Sequence, residues 1–208
     1  YNCQTPFSRD YEMPVIYSYN RDYLSFFKGR EDYFACQGPD YYYPIKQPLS
    51  DYYLRKHLEG LATFGVYVLT SDSRCYFICI DIDIPKSELG STDFTGRDKK
   101  YSRLKERLLR FQELFVKEYN IPQNAILYED TGGRGYHIWL FFSDGLDGEA
   151  AVAFHEILKR QLSFDFEFFP KQSRIGERRK FGNLVKLPLG IHQKYSSRSV
   201  FFELVDEK

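Results

Sequence analysis

The run Ile80-Asp81-Ile82-Asp83-Ile84 alternates apolar and acidic residues without a break. Side chains on a strand point to opposite faces in turn, so this run predicts three isoleucines in a core and two carboxylates on the other face. The aspartates would stand about 7 Å apart, twice the rise per residue. Carboxylates held that close repel each other unless a cation lies between them. Hard divalent ions such as Mg²⁺ or Mn²⁺ prefer oxygen donors. Two of them, about 4 Å apart, can stabilise the attacking and leaving oxygens of phosphoryl transfer. The same pattern also fits a strand whose outer face simply meets water.

Working outward, Val66–Thr70 and Cys75–Ile84 have period-two character on either side of the polar turn Ser71-Asp72-Ser73, which predicts a β-hairpin. Leu104, Leu108, Phe111, Phe115 and Tyr119 recur at three- and four-residue steps. Arg97–Tyr119 is therefore expected to be helical and to end at Asn120 and Pro122. A strand at Ala125–Glu129, a glycine-rich bend at Thr131–Gly135 and an apolar strand at Tyr136–Phe142 follow. A helix should open at Asp147 or Gly148 and run to about Leu162. Phe164–Phe169 reads as a strand closed by Pro170, Lys171–Gly182 as a basic loop, and Asn183–Leu187 and Ser199–Val205 as strands. The first 60 residues read as tyrosine-rich loops and short helices, one capped by Asn20 and running to about Lys28, another from Ser50 to Gly60. Strands that both alternate with helices and pair as hairpins predict an α+β, or mixed α/β, fold.

The chain has 208 residues, enough for one or two domains with a real core. At 43% hydrophobic and 28% charged it has an ordinary globular composition, enriched in aromatics by 18 Tyr and 19 Phe. No stretch approaches the ~18–20 uncharged apolar residues of a membrane span, so no membrane partner is expected. The chain begins at Tyr1 with no signal-like segment, which reads as a piece of a longer protein with further domains. Cys3, Cys36, Cys75 and Cys79 lack zinc-site spacing; small buried hydrophobes in a reducing, cytoplasmic setting are expected.

Zero net charge conceals polarity along the chain. Lys171–Arg198 contains Lys171, Arg174, Arg178, Arg179, Lys180, Lys186, Lys194 and Arg198 against the single acid Glu177. Arg97–Arg110 is also basic. Such local potential suits an anionic partner, although a solvated helix face explains the second cluster equally well.

Gly132-Gly133-Arg134-Gly135-Tyr136-His137 places a cation and an imidazole beside backbone that a ligand could approach closely, a candidate phosphate cradle. A histidine among Tyr, Ile and Trp is more often a satisfied core residue. Glu129 and Asp130 read as turn acids rather than ligands. In Asn183-Leu184-Val185-Lys186-Leu187-Pro188-Leu189-Gly190-Ile191-His192-Gln193-Lys194, Lys186 shares a strand face with Leu184, and His192 and Lys194 are cofacial if extended. Lysine offers a compact charge for phosphate oxygens.

Taken in order, the paired aspartates, the glycine-rich bend leading to His137, Asn183–His192 and a hydrophobic strand ending in an acid resemble the archaeo-eukaryotic primase superfamily. Within it the chain resembles the primase-polymerases of mobile-element conflict systems and the CRISPR-associated primase-polymerases. Phe26–Asp32 and Phe169-Pro170-Lys171-Gln172 are similar to segments of that group. The likeness runs through most of the chain from about residue 20. The resemblance implies a primase-like catalytic core at 61–208, with the N-terminal 1–60 segment packed on it, and an active site between an α/β unit and an RRM-like sheet.

It also implies roles. Asp81 and Asp83 correspond to the first metal-binding motif, and Phe202-Glu203 fits the later hydrophobic-acid motif, with Asp206 as fallback. Gly135-Tyr136-His137 falls where the family has Ser-x-His, whose histidine meets the triphosphate of the incoming nucleotide. Lys171, Lys186, His192 and Lys194 fall in regions the family uses for phosphate contacts, and Arg134 in the bend would join His137 and Lys186 in neutralising the triphosphate. The implied activity is DNA-dependent nucleotidyl transfer with two Mg²⁺ or Mn²⁺ ions, making and extending primers on single-stranded DNA. Two rivals are an RRM-like single-strand-binding module without catalysis and a metal-dependent nuclease.

Overall fold

The computed structural model describes residues 22–39, 41–85, 97–176 and 181–205, with the side chains of 97–99 outside that description. Asn20, Cys3, Arg178, Arg179, Lys180 and Asp206 also lie outside it.

The central element is β4 (Arg74–Asp83), and its alternation is as the sequence dictates: Ile80, Ile82 and Ile84 are buried. It lies in an antiparallel sheet of order β11-β5-β6-β4-β7 with β5 (Leu127–Asp130), β6 (Gly135–Asp147), β7 (Glu167–Phe169) and β11 (Val200–Phe202). Two helices cover the isoleucine face. In α2 (Arg97–Lys117), Leu104, Leu108, Phe111 and Phe115 form the predicted apolar stripe, and Asn120 adopts a left-handed conformation just past its end. In α3 (Gly148–Gln161), Asp147 caps the N-terminus by accepting from the Glu149 amide, while His155 stacks on Phe168 of the sheet.

The opposite face of β4 and β6 meets a second sheet, of order β2-β1-β3-β8, built from β1 (Phe34–Gln37), β2 (Tyr42–Ile45), β3 (Phe64–Tyr67) and β8 (Leu184–Lys186). Helix α1 (Asp51–Glu59) packs on it and ends at Gly60 as expected. A short helical stretch at 22–26 presents Phe27 to Phe77, Trp139 and Phe141 of the larger sheet. One continuous apolar cluster runs through both halves. The mixed α+β architecture is thus the expected one.

Two expectations need correction. The segments around Ser71-Asp72-Ser73 do turn back, with the Thr70 amide donating to the Arg74 carbonyl, but they do not pair as a hairpin. β3 pairs with β1 and β8 while β4 enters the other sheet, because all of β3 is buried and carries no solvent-facing alternation. The N-terminal segment is not merely loops and helices either. β1 and β2 are strands, and β1 pairs with β3, so a boundary at residue 60 falls inside a sheet. Among the described residues no helix is long and apolar enough to cross a membrane.

Candidate active site

Between the two sheets lies a cleft of about 340 Å³, lined by Asp81, Asp83, Arg134, His137, Lys186, His192 and Lys194 among others. Seven of the sequence-predicted residues therefore meet in one place. A larger hollow of about 750 Å³ along α2 contains none of them.

Register explains the convergence. Asp81 on β4 is opposite His137 on β6, which is opposite Glu129 on β5. On the other side Asp81 is opposite Glu167 of β7. Directly opposed residues share a face. Four ionisable side chains thus form a row across the sheet. The aspartate face is a cleft wall rather than a surface in open water: the Asp81 and Asp83 side chains are 20% and 28% exposed.

Asp81 Oδ1 is buried and has no hydrogen-bond partner. Burial raises the Asp81 carboxyl to about 7; Asp83 and Glu167 add to the rise, and His137 opposes it. Burial also raises Asp83, against the Arg134 guanidinium that pairs with it. Arg134 donates as well to the Ile84 carbonyl at 3.0 Å. Gly135 has its own reason to be glycine. A Cβ there would lie 2.2 Å from Asp83 Oδ1 and 2.4 Å from the Ile82 carbonyl oxygen, so a serine has no room beside this aspartate.

The floor is organised by Glu129, which is fully buried and is not the turn acid expected of it. Its Oε2 lies 2.9 Å from His137 Nδ1 and accepts from Trp139 Nε1 at 2.9 Å; its Oε1 accepts from Lys186 Nζ at 3.3 Å. Burial alone would raise Glu129, but Lys186 and His137 overcome it and hold the carboxyl at about 2. For His137, burial opposes the charge, yet Cys79 and Glu129 outweigh it and raise the imidazole well above its ordinary value. His137 Nε2 lies 3.9 Å from Asp81 Oδ1. His192, by contrast, is lowered to about 4 by burial and by Lys186.

Asp130 is also a buried structural acid. It accepts from Lys100 Nζ at 2.5 Å and from the Gly132 amide at 2.9 Å. The Gly133 amide donates to Thr131 Oγ1. The bend therefore spends these amides internally, and a phosphate cradle made of them is not available. Lys100, part of the basic 97–110 cluster, also donates to the Gly133 carbonyl and ties α2 to the bend.

Glu203 does not join the aspartates. It follows β11, three strands from β4 in the sheet order, is exposed, and falls beyond Phe202, which is opposite Tyr128. That strand direction carries it away from Asp83. The acid beside the pair is Glu167, on the strand next to β4. Its sequence signal was present in Asp165-Phe166-Glu167-Phe168, which repeats the acid–apolar alternation of Ile80–Ile84. Lys171 does not line the cleft; its ammonium pairs with Glu167 at 2.8 Å.

The basic stretch is not a continuous free stripe. Arg174 pairs with Glu149, and Arg198 donates to the Leu58 and Leu189 carbonyls. Cys36, Cys75 and Cys79 are buried, as expected.

Among the described residues, no three His, Cys, Asp or Glu side chains converge as they stand into a ligand set. Asp81 and Asp83 nonetheless suit a divalent ion as hard oxygen donors that repel each other, one with a buried oxygen lacking a partner; Glu167 stands on the neighbouring strand, its exposed carboxylate paired with Lys171.

Residues 21–208 match the family model described as the TOTE conflict system, Archaeo-Eukaryotic Primase domain. Among solved structures, the AEP domain of the cyanophage S-2L primase-polymerase aligns with a TM-score of 0.48 at 14% identity, covering 89% of this chain and 90% of that one. No curated protein sequence matches the chain.

Proposed function

Since this chain belongs to the archaeo-eukaryotic primase domains of TOTE conflict systems, we propose that its cleft carries out DNA-dependent nucleotidyl transfer, making and extending primers on single-stranded DNA. The observation that carries this reading is the unpartnered, buried oxygen of Asp81 beside Asp83 and Glu167, across from His137. Carboxylates kept together at such cost suit a ligand that brings positive charge.

Asp81, Asp83 and Glu167 would hold two divalent ions, with Glu167 taking the place first given to Glu203. Mg²⁺ or Mn²⁺ there would supply positive charge to the attacking 3′-hydroxyl oxygen and the departing pyrophosphate. The chain's own cations do the rest. His137 and Lys186 present charge at the floor, Lys194 reaches in from the loop beyond His192, and Arg134 neutralises Asp83 until a stronger cation displaces it. Together they would bind and orient a nucleoside triphosphate and offset the charge that grows on it in the transition state. His192 is held neutral and would contribute a hydrogen bond rather than charge. Lys171 acts at one remove, by orienting Glu167. Its partners would be a DNA template and primer, in a cytoplasmic setting.

The test is primer synthesis and extension on single-stranded DNA with Mn²⁺ or Mg²⁺ and both dNTPs and rNTPs. Incorporation should disappear in the Asp81→Ala/Asp83→Ala double variant. Incorporation that survives it removes the metal assignment. Cleavage of labelled DNA with metal but no nucleotide would instead favour a nuclease, and DNA binding without incorporation a recognition module.

A further inference from the structure

We infer that Glu129 is a positioning residue, one that fixes the tautomer and orientation of His137 and seats Lys186 so that both face the phosphates of the bound nucleotide. This rests on the nucleotide-binding reading above, and it concerns a residue that touches neither substrate nor metal.

Three facts carry it. Glu129 lies fully buried at the junction of the two sheets, where an ionised carboxylate survives only if its oxygens are well paired. Its partners come from both sheets: His137 and Trp139 from β6, Lys186 from β8. An ionised carboxylate can only accept, so the Nδ1 of His137 must carry the proton. That leaves Nε2 as the nitrogen turned toward Asp81, on the cleft side. A hydrogen bond at one ring nitrogen commonly decides what the other presents to a ligand.

Placement agrees: the Glu129 carboxylate lies between the His137 ring of one sheet and the Lys186 ammonium of the other. Its Trp139 contact pins the carboxylate plane, so His137 and Lys186 are held in a fixed relation.

The inference is tested with the full chain, an α,β-imido deoxynucleoside triphosphate with Mg²⁺ as the binding probe, and steady-state incorporation. Glu129→Gln should weaken probe binding and raise KM about tenfold or more, with kcat changed much less, the scale on which outer-shell partners act. The Glu129→Gln/His137→Ala double variant should be little worse than His137→Ala. Glu129→Asp should recover part of the loss. Wild-type binding with unchanged binding and KM in Glu129→Gln overturns the inference alone. A wild type that fails to bind the probe overturns the nucleotide-site reading and this inference with it. Should Glu129→Gln not fold, ¹⁵N spectra of the wild-type histidines decide the matter: His137 protonated at Nδ1 supports the inference, and a lone proton on Nε2 overturns it.

Discussion

His57 and His137 are both buried, one on α1 against the four-stranded sheet and the other on β6 in the five-stranded sheet, and their surroundings differ in kind. Both ring nitrogens of His57 meet main chain: Nδ1 accepts from the Phe64 amide at 3.0 Å, and Nε2 donates to the Pro188 carbonyl at 2.9 Å. Burial lowers this imidazole to about 4, so it is neutral at pH 7. His137 is tied instead to an ionised side chain and faces a carboxylate oxygen with no partner of its own. Where every polar atom is saturated by backbone, the group serves the fold. Where titratable groups answer one another and an oxygen is left over, the arrangement awaits a ligand.

The contrast can be tested at both ends. The largest effect should come from Gly190→Ala on the saturated side. Its new Cβ would fall 2.2 Å from His57 Cε1, so folding should lose about 3 kcal/mol or more, read by urea denaturation. On the ligand side, Glu167→Ala should cut nucleotide incorporation about 10²-fold, the loss typical of a missing electrostatic stabiliser. Glu203→Ala should leave incorporation unchanged; the opposite ranking would return the third carboxylate to β11.

The two histidines should also separate on acidification. His57 has a folded value below its unfolded one, so its contribution is complete above pH 6.5 and is lost as pH falls toward 4. Between pH 7 and pH 5, wild type should lose about 2 kcal/mol more urea stability than His57→Gln does. Glu129, held at about 2, contributes in a separate and lower window, losing its share as pH falls below 4.5. The smallest effect belongs to Arg174→Ala. Its ion pair with Glu149 is exposed, and stability should move by less than about 0.5 kcal/mol.

These differences also mark what could be read in advance. Ile80–Ile84 gave its strand, its core face and its paired acids because period-two alternation is a local property. The α2 stripe and the ends of α1 were legible for the same reason. Sheet membership was not. Nothing local tells β3 to leave β4 for β1 and β8, since strand pairing is decided by burial far along the chain. Glu129 was misread because an acid beside an acid resembles a turn, and its three partners lie at 137, 139 and 186. Glu203 suited a linear motif, but strand order sets it apart, while Glu167 shared the alternating pattern and also had the right neighbour.

The placement of β8 has a consequence for how the molecule is made. β3 is complete by residue 67, yet its outer partner arrives only with 184–186. A ribosome-bound chain that already holds Glu129 and His137 still lacks the ammonium from Lys186 that offsets the buried carboxylate. Local elements can form early, whereas the cleft floor is finished only after most of the polypeptide has emerged. Until then the β3 edge of the smaller sheet lacks its pairing strand.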